Sequence, residues 1–379
     1  MDIFSFMQSK GIPRLDFVRG FSSAVPSLPS VRQVEQEFRK SSHASVTFVQ
    51  EYGARLIFAV HSTRRGPALG GFRLYDYKTE TDALQDVLRL SQAMTYKSAA
   101  VELPFGGGKA VGWIDGKKNL DVCSKSLVSF AGRYITGEDL GVTVNDMDYV
   151  LSKIKRLVSN PNVVGTSRRL GGCGDPSIAT AKGVFAGISV CVKVRLRQKS
   201  VRGLRVALQG CGKVGTPLGK MLIDAGAEVV TTSRRRSSTR TLQKYGAERV
   251  EPDDIYDVQS DVFCPAAIGG VINPETIPRL SCKIIAGPAN NQLSNVAMGN
   301  VLRKSNILYA PDFVINAGGL IAAAHEYMAR EKGKRFSWPV VEAYLKVIPK
   351  NLSYIFSWSS RQRISTAVAA VQFAKSRLK

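Results

Sequence analysis

In the stretch LPFGGGKAVGW, residues 103–113, three consecutive glycines stand directly before a lysine. Glycine is costly to order, so such a run between apolar residues marks backbone that must pass close to something. Two readings of Lys109 follow: a lysine held for chemistry, or a surface lysine after a turn. A second chemical signal lies at Gly210-x-Gly212-x-x-Gly215, with Cys211, Lys213 and Val214 between the glycines. The apolar run LRVALQ precedes it and a helical pattern with Leu218, Met221 and Leu222 follows; AEVVTT then supplies a second strand. In that setting the glycines allow a tight turn, close approach of a pyrophosphate and close helix–strand packing, while the helix N-terminus offers N–H groups to phosphate.

One part of that site departs from the usual pattern. An acidic residue normally ends the second strand and binds the ribose hydroxyls. Here the position is Thr232, followed by Ser233, Arg234, Arg235 and Arg236. Without the carboxylate its repulsion of a 2′-phosphate is gone, and guanidinium groups suit that phosphate. The segment therefore reads either as an NADP-accepting site or as an NAD-type site beside a solvated basic run.

The elements that must position these residues can be read from periodicity. Residues 45–60 alternate as two strands around a turn, and 64–75 reads as a glycine-rich loop. Residues 79–100 form an amphipathic helix through Ala83, Val87, Leu90 and Met94, and the glycine run leads to a strand over 110–114. Further helices are expected over 122–135 and 177–194, and the segment 325–379 is helical by pattern.

The chain has 379 residues, 44% of them hydrophobic, which suits two globular domains. No window is read as reaching the ~20 apolar residues of a membrane span. The net charge of +23 is spread over clusters at 153–156, 193–205 and 233–240. Its simplest reading is a solvated basic surface; nucleic acid is an unlikely partner, since neither zinc-finger spacing nor aromatic-basic interleaving is present. The six cysteines form no CxxC pair, which fits reduced thiols and offers no metal site. Residues 1–40 read equally as a helix with a mobile Ser/Pro linker or as a targeting segment. The second reading, with a mitochondrial matrix rather than a cytoplasmic address, rests on Arg19-Gly20-Phe21-Ser22 and is opposed by Asp2 and Asp16.

Seven motifs taken in order are GPALGG (66–71), MTYKSA (94–99), GGGKAV (106–111), ITGEDLGVTVNDMD (135–148), GDPSIATAKGV (174–184), AGPANNQL (286–293) and YAPDFVINAGG (309–319). Together they resemble the Glu/Leu/Phe/Val dehydrogenase family, on its leucine and phenylalanine dehydrogenase branch. The resemblance implies NAD(P)-dependent oxidative deamination of an L-amino acid to a 2-oxo acid and ammonia by a homo-oligomer. It makes Lys97 the ligand of the substrate carboxylate, Lys109 the catalytic lysine and Asp139 its partner in proton transfer. Gly70 and Gly71 would lie beside the substrate, and Leu69, Gly137 and Val314 would line its side-chain pocket. Thr180, Ala289, Asn290 and Asn316 would contact cofactor or substrate. No added cation is present to hold a side-chain carboxylate, and Gly137 leaves room, so an apolar substrate of Phe, Leu or Val type is implied.

The implied architecture is α/β with two domains and a cleft between them. Residues 1–175 form the substrate-binding, catalytic domain. Residues 176–324 form a doubly wound, Rossmann-type NAD(P)-binding domain, and 325–379 pack back on the first. Arg64, Arg65, Pro288 and the order of CPAAIGG (264–270) depart from the family pattern. They leave open a catalytically drifted relative with a basic binding surface.

Overall fold

The computed structural model describes residues 2–19, 29–114 and 118–378. The first unit runs α1 (Ile3–Ser9), β1 (Arg14–Val18), α2 (Pro29–Lys40), β2 (Ser45–Glu51), β3 (Ala54–Ser62), β4 (Ala68–Leu69), β5 (Phe72–Leu74), α3 (Glu80–Ala100), β6 (Gly106–Gly112), α4 (Lys118–Ser129), β7 (Tyr134–Ile135) and α5 (Val144–Ile154). Its strands make one mixed sheet of order β1-β2-β3-β6-β4-β7, with β5 also on β6. Both faces are covered. Leu56, Phe58 and Val60 of β3 join the core under α4 and α5, and Ile57 and Ala59 join the core with α1 and α3. That alternation is what a strand buried on two faces produces.

The glycine run differs from expectation, because the strand begins at Gly106 and includes all three glycines. The loop expected over 64–75 holds two short strands, and the helix expected over 122–135 ends at Ser129 before β7. The N-terminal segment is built into the unit: β1 pairs with β2 along its whole length. The motif Arg19–Ser22 extends beyond the described residues.

The second unit runs α6 (Ser177–Leu196), β8 (Arg205–Gln209), α7 (Gly215–Asp224), β9 (Glu228–Thr232), α8 (Arg240–Lys244), β10 (Glu248–Arg249), β11 (Val262–Pro265), β12 (Ile284–Ile285), α9 (Ala297–Lys304), β13 (Leu308–Tyr309), α10 (Asp312–Ile315) and α11 (Gly318–Glu331). Its sheet is parallel, with order β10-β9-β8-β11-β12-β13. The chain reverses its direction of winding between β8 and β11, the place where such sheets open a crevice for ligand. One sequence expectation needs correction here. α6 is long and apolar enough to cross a membrane by length and composition. It buries Ala179, Val184, Ile188 and Val192 against the rest of the core, and its Gly183 and Gly187 sit so close to Ile348 and Ile315 that a Cβ would overlap them.

Three helices end the chain: α12 (Trp338–Tyr344), α13 (Val347–Gln362) and α14 (Thr366–Ser376). They return to the end of α3. Asn351 donates to the Ala100 carbonyl at 2.8 Å, and Tyr344 donates to the Val101 carbonyl at 3.1 Å.

Candidate active site

Lys97 projects from the last turn of α3, whose start is fixed by a capping box between Thr79 and Asp82. Lys109 lies in the middle of β6 and is 3% exposed. Asp139 follows β7. The glycines explain how these meet. A Cβ on Gly107 would overlap the Thr95 backbone of α3, one on Gly106 the Ser62 carbonyl, and one on Gly108 the Tyr134 ring. The run thus lets α3 settle onto β6 and bring Lys97 towards Lys109. None of the three lines the cleft, so their closeness is to protein and not to substrate. Gly70 and Gly71 do line it, and each also accepts backbone at its Cβ position: Gly108 O for the first, Glu138 O for the second.

Lys109 Nζ forms a close ion pair with Asp139 Oδ2. Asp139 Oδ1 accepts from Arg73 Nε at 3.1 Å and from the Leu140 amide at 2.6 Å. Burial would raise this carboxyl, but Lys109 and Arg73 outweigh it and hold Asp139 well below the usual carboxylate range. Lys97 is pushed down to about 8 by burial, with Lys109 acting in the same direction and Asp312 and Asp139 against it. Its Nζ donates to Asn290 Oδ1 at 3.2 Å, across the cleft on the second unit. Asn316 Nδ2 donates to the same oxygen at 2.8 Å, and its own Oδ1 is buried with no hydrogen-bond partner.

These residues border a cleft of about 260 Å³ between the two sheets. Lys97, Lys109, Asp139, Asn290 and Asn316 form its polar end, with Thr180 nearby. Leu69, Gly137, Val164, Leu320 and Ala323 add apolar lining, and Glu138 lines it beside Gly165. Val314 lies fully buried on α10 and does not border this cleft. Leu320 and Ala323, one turn apart on α11, line the cleft instead. Ala289 does not line the cleft either; its carbonyl accepts from Gln292 Nε2 at 3.0 Å, and Pro288 lies at the wall instead. Leu320, Ala323, Val164 and Glu138 were not found from sequence. The small-residue run after the second glycine of YAPDFVINAGG was the available signal for the first two.

The glycine loop after β8 has the shape a dinucleotide needs. Gly210 has φ +118° and no room for a Cβ beside Ala266 and Ala267, and a Cβ on Gly215 would overlap the Gly210 carbonyl. At Gly212 a Cβ would meet nothing within 4 Å, so it would project into open space above the start of α7. No side chain caps α7. The residues therefore fit a bound pyrophosphate. Val214 faces the cleft of Lys97 and Lys109, while Gly210 and Gly212 face a second cavity of about 910 Å³ with Thr232, Ser233, Arg234 and Arg235. Thr232 Oγ is committed to the Val250 carbonyl at 2.9 Å. Asp253, the acid in this cavity, is held by Arg279 at 3.0 Å. Lys213 is exposed on the loop.

Comparison with known proteins agrees with this arrangement. Residues 41–156 match the family described as "Glu/Leu/Phe/Val dehydrogenase, dimerisation domain", and 232–377 match "Glutamate/Leucine/Phenylalanine/Valine dehydrogenase". The leucine dehydrogenase of Thermoactinomyces intermedius is 40% identical over 337 residues, 87% of this chain and 88% of that protein. The phenylalanine dehydrogenase of Lysinibacillus sphaericus is 38% identical, covering 89% of each chain. The crystal structure of L-tryptophan dehydrogenase from Nostoc punctiforme superposes with a TM-score of 0.77 at 34% identity, covering 91% of this chain and 98% of that one. With two lysines and an aspartate gathered in the cleft between the two sheets, and with relatives matched along nearly the whole length, this chain belongs to the Glu/Leu/Phe/Val dehydrogenase family.

Proposed function

We propose that this amino-acid dehydrogenase oxidises a bulky apolar L-amino acid to its 2-oxo acid and ammonia. The observation that carries the reading is the lining of the cleft: Lys97, Lys109 and Asp139 meet there with Leu69, Val164, Leu320 and Ala323, and the one further charged group, Glu138 beside Gly165, would repel a side-chain carboxylate. Gly137 sits against Val164, and a Cβ there would come within 3.1 Å of a Val164 methyl, so glycine leaves the pocket wide. Leu and Phe side chains suit this wall, and a side-chain carboxylate would be buried there unpaired.

The Lys97 ammonium anchors the substrate carboxylate. When bound, the nicotinamide supplies the acceptor for the hydride leaving Cα. Lys109 and Asp139, joined as an ion pair, take the proton of a water that adds to the resulting imine carbon. Asp139 then returns a proton to the nitrogen, which leaves as ammonia while the hydroxyl on that carbon gives its proton back to Asp139 and becomes the carbonyl. Asn316 and Asn290 orient the groups at the second unit's edge of the cleft.

For the cofactor we infer that NADP is accepted. Thr232 offers no carboxylate, its hydroxyl is occupied, and Arg234 and Arg235 are exposed at the cavity. The 41–156 match to a dimerisation domain supports a homo-oligomer assembled through the first unit. A non-catalytic relative with a basic binding surface is not favoured, since it has no use for the Lys97, Lys109 and Asp139 set. The test is reduced-cofactor formation over a panel of L-amino acids with NAD and NADP in parallel. Turnover of Phe, Leu or Val in preference to Glu is expected. Absence of turnover from folded protein would refute the activity, and a clear NAD preference would refute the cofactor reading alone.

A further inference from the structure

Arg73 is the middle residue of β5, with Phe72 and Leu74 turned into the core below. Alternation along the strand turns Arg73 to the opposite face, the one that carries α3 and Lys109. Its guanidinium there joins two acids from separate elements. Nε donates to Asp139 Oδ1 at 3.1 Å, and Nη1 donates to Asp86 Oδ2 on α3 at 2.9 Å. Asp86 is itself held by the Tyr77 hydroxyl at 2.7 Å and by Arg89 Nη2 at 2.7 Å. The side chains of Arg73, Asp86 and Asp139 are 21%, 15% and 22% exposed, so this ladder of alternating charge is largely shielded from water.

We propose that Arg73 is the positioning residue for Asp139: anchored by Asp86, it grips one carboxylate oxygen and so fixes the other towards Lys109. The proposal rests on the reading of Asp139 as partner in proton transfer. A planar fork can hold two carboxylates at set angles, whereas a lysine would be only a point charge between them. Besides Lys109, only the Leu140 amide, a neighbour on the same loop, engages Asp139 among the described residues; Arg73 ties the carboxylate to β5 and α3. With both oxygens engaged from opposite sides, it presents one oxygen to the reacting water and nitrogen. Lys97 on α3, Glu138 before it, Tyr134 on β7 and Tyr77 are the other titratable groups around this carboxylate. None of them donates a hydrogen bond to it among the described residues.

The consequence for pH has a definite sign. Asp139 must be ionised to accept a proton, so activity is lost as pH falls through its pKa. Removing one of its two cations raises that pKa, and the acid limb moves to higher pH. In the full-length enzyme, R73Q should lower kcat by about tenfold or more while the KM for the amino acid, set by Lys97, moves less than about threefold. Its acid limb should shift upward. R73K should keep the acid limb near that of the parent, because the charge remains, while kcat stays reduced. D86N, which leaves Arg73 in place but unanchored, should lower kcat in the same direction by less, and it carries the test if R73Q does not fold. D139N is run beside them. If D139N keeps the parent kcat, the proton-transfer reading of Asp139 fails and this proposal falls with it. If D139N is impaired but folded R73Q and D86N keep the parent kcat and acid limb, the proposal alone is overturned. A lowered melting temperature with both kinetic readouts unchanged would likewise overturn it, by making Arg73 a strut.

Discussion

Lys97 stands at the end of α3 with its Nζ on Asn290 and, among the described residues, no carboxylate within ion-pair distance. Burial pushes its pKa down to about 8, and the Lys109 charge adds to the effect. It is therefore charged at neutral pH and loses the proton as pH rises through about 8. A 2-oxo acid keeps its own carboxylate ionised throughout this range, so its affinity reports Lys97 directly. The expected outcome is a dissociation constant that is flat below pH 8 and rises about tenfold per pH unit above it, following the fraction of protonated lysine. Titration of the enzyme with a 2-oxo acid between pH 7 and 9.5 checks this. Lys97→Gln should bind weakly with no such slope; a flat profile in the parent would remove Lys97 as the anchor.

At the scale of elements, what could be read from the chain was what repeats with a period. The paired strands over 45–60, the amphipathic α3 and the strand–glycine–helix of 204–224 all lie where alternation or helical spacing placed them. The start of β6 could not be read, because three glycines have no side chains to alternate. Nor could their purpose, since they approach α3 at Gly107, the end of β3 at Gly106 and Tyr134 at Gly108, contacts that only the fold creates. Glu326 is the clearest residue that sequence hid. On a helix it reads as a solvated charge, yet it is 1% exposed. Its carboxylate accepts from the Gly165 and Cys173 amides at 2.9 Å, from Thr166 Oγ at 2.7 Å and from Arg330 at 2.8 Å. It ties the loop carrying Val164 to α11, which carries Leu320 and Ala323, so it sets the distance between two walls of the substrate pocket. Glu326→Ala would leave those amides and Arg330 unpartnered, at an expected cost of about 3–5 kcal/mol. The KM for apolar substrates should rise as well, because both walls shift. Denaturant unfolding measures the first effect, and a loss below about 1 kcal/mol would show the carboxylate to be dispensable.

For the whole molecule, both ends of the chain close over the first sheet. From the C-terminus, Asn351 and Tyr344 bind the end of α3, and Arg65 donates to the carbonyl of Arg377 at 2.8 Å. From the N-terminus, α1 buries Ile3, Phe4, Phe6 and Met7 to 2% exposure or less. The amides of Ile3 and Phe4 end on the Glu80 carboxylate at 3.1 and 3.0 Å, so the first turn of α3 caps the first turn of α1. The Phe4 ring meets Phe48 and Trp113 edge to face. A leader cleaved near residue 21 would take all of this away, together with β1. Four large apolar side chains at about 1.5–3 kcal/mol each come to about 6–12 kcal/mol, which is comparable to the roughly 5–15 kcal/mol that keeps a domain folded. A chain beginning at residue 29 is therefore expected to lose its cooperative melt and its turnover, with Phe48, Ile57 and Trp113 exposed to solvent. Thermal unfolding of the truncated and full chains side by side decides it. If the short form melts as high as the full chain and turns over as fast, α1 and β1 are an appendage to the folded unit.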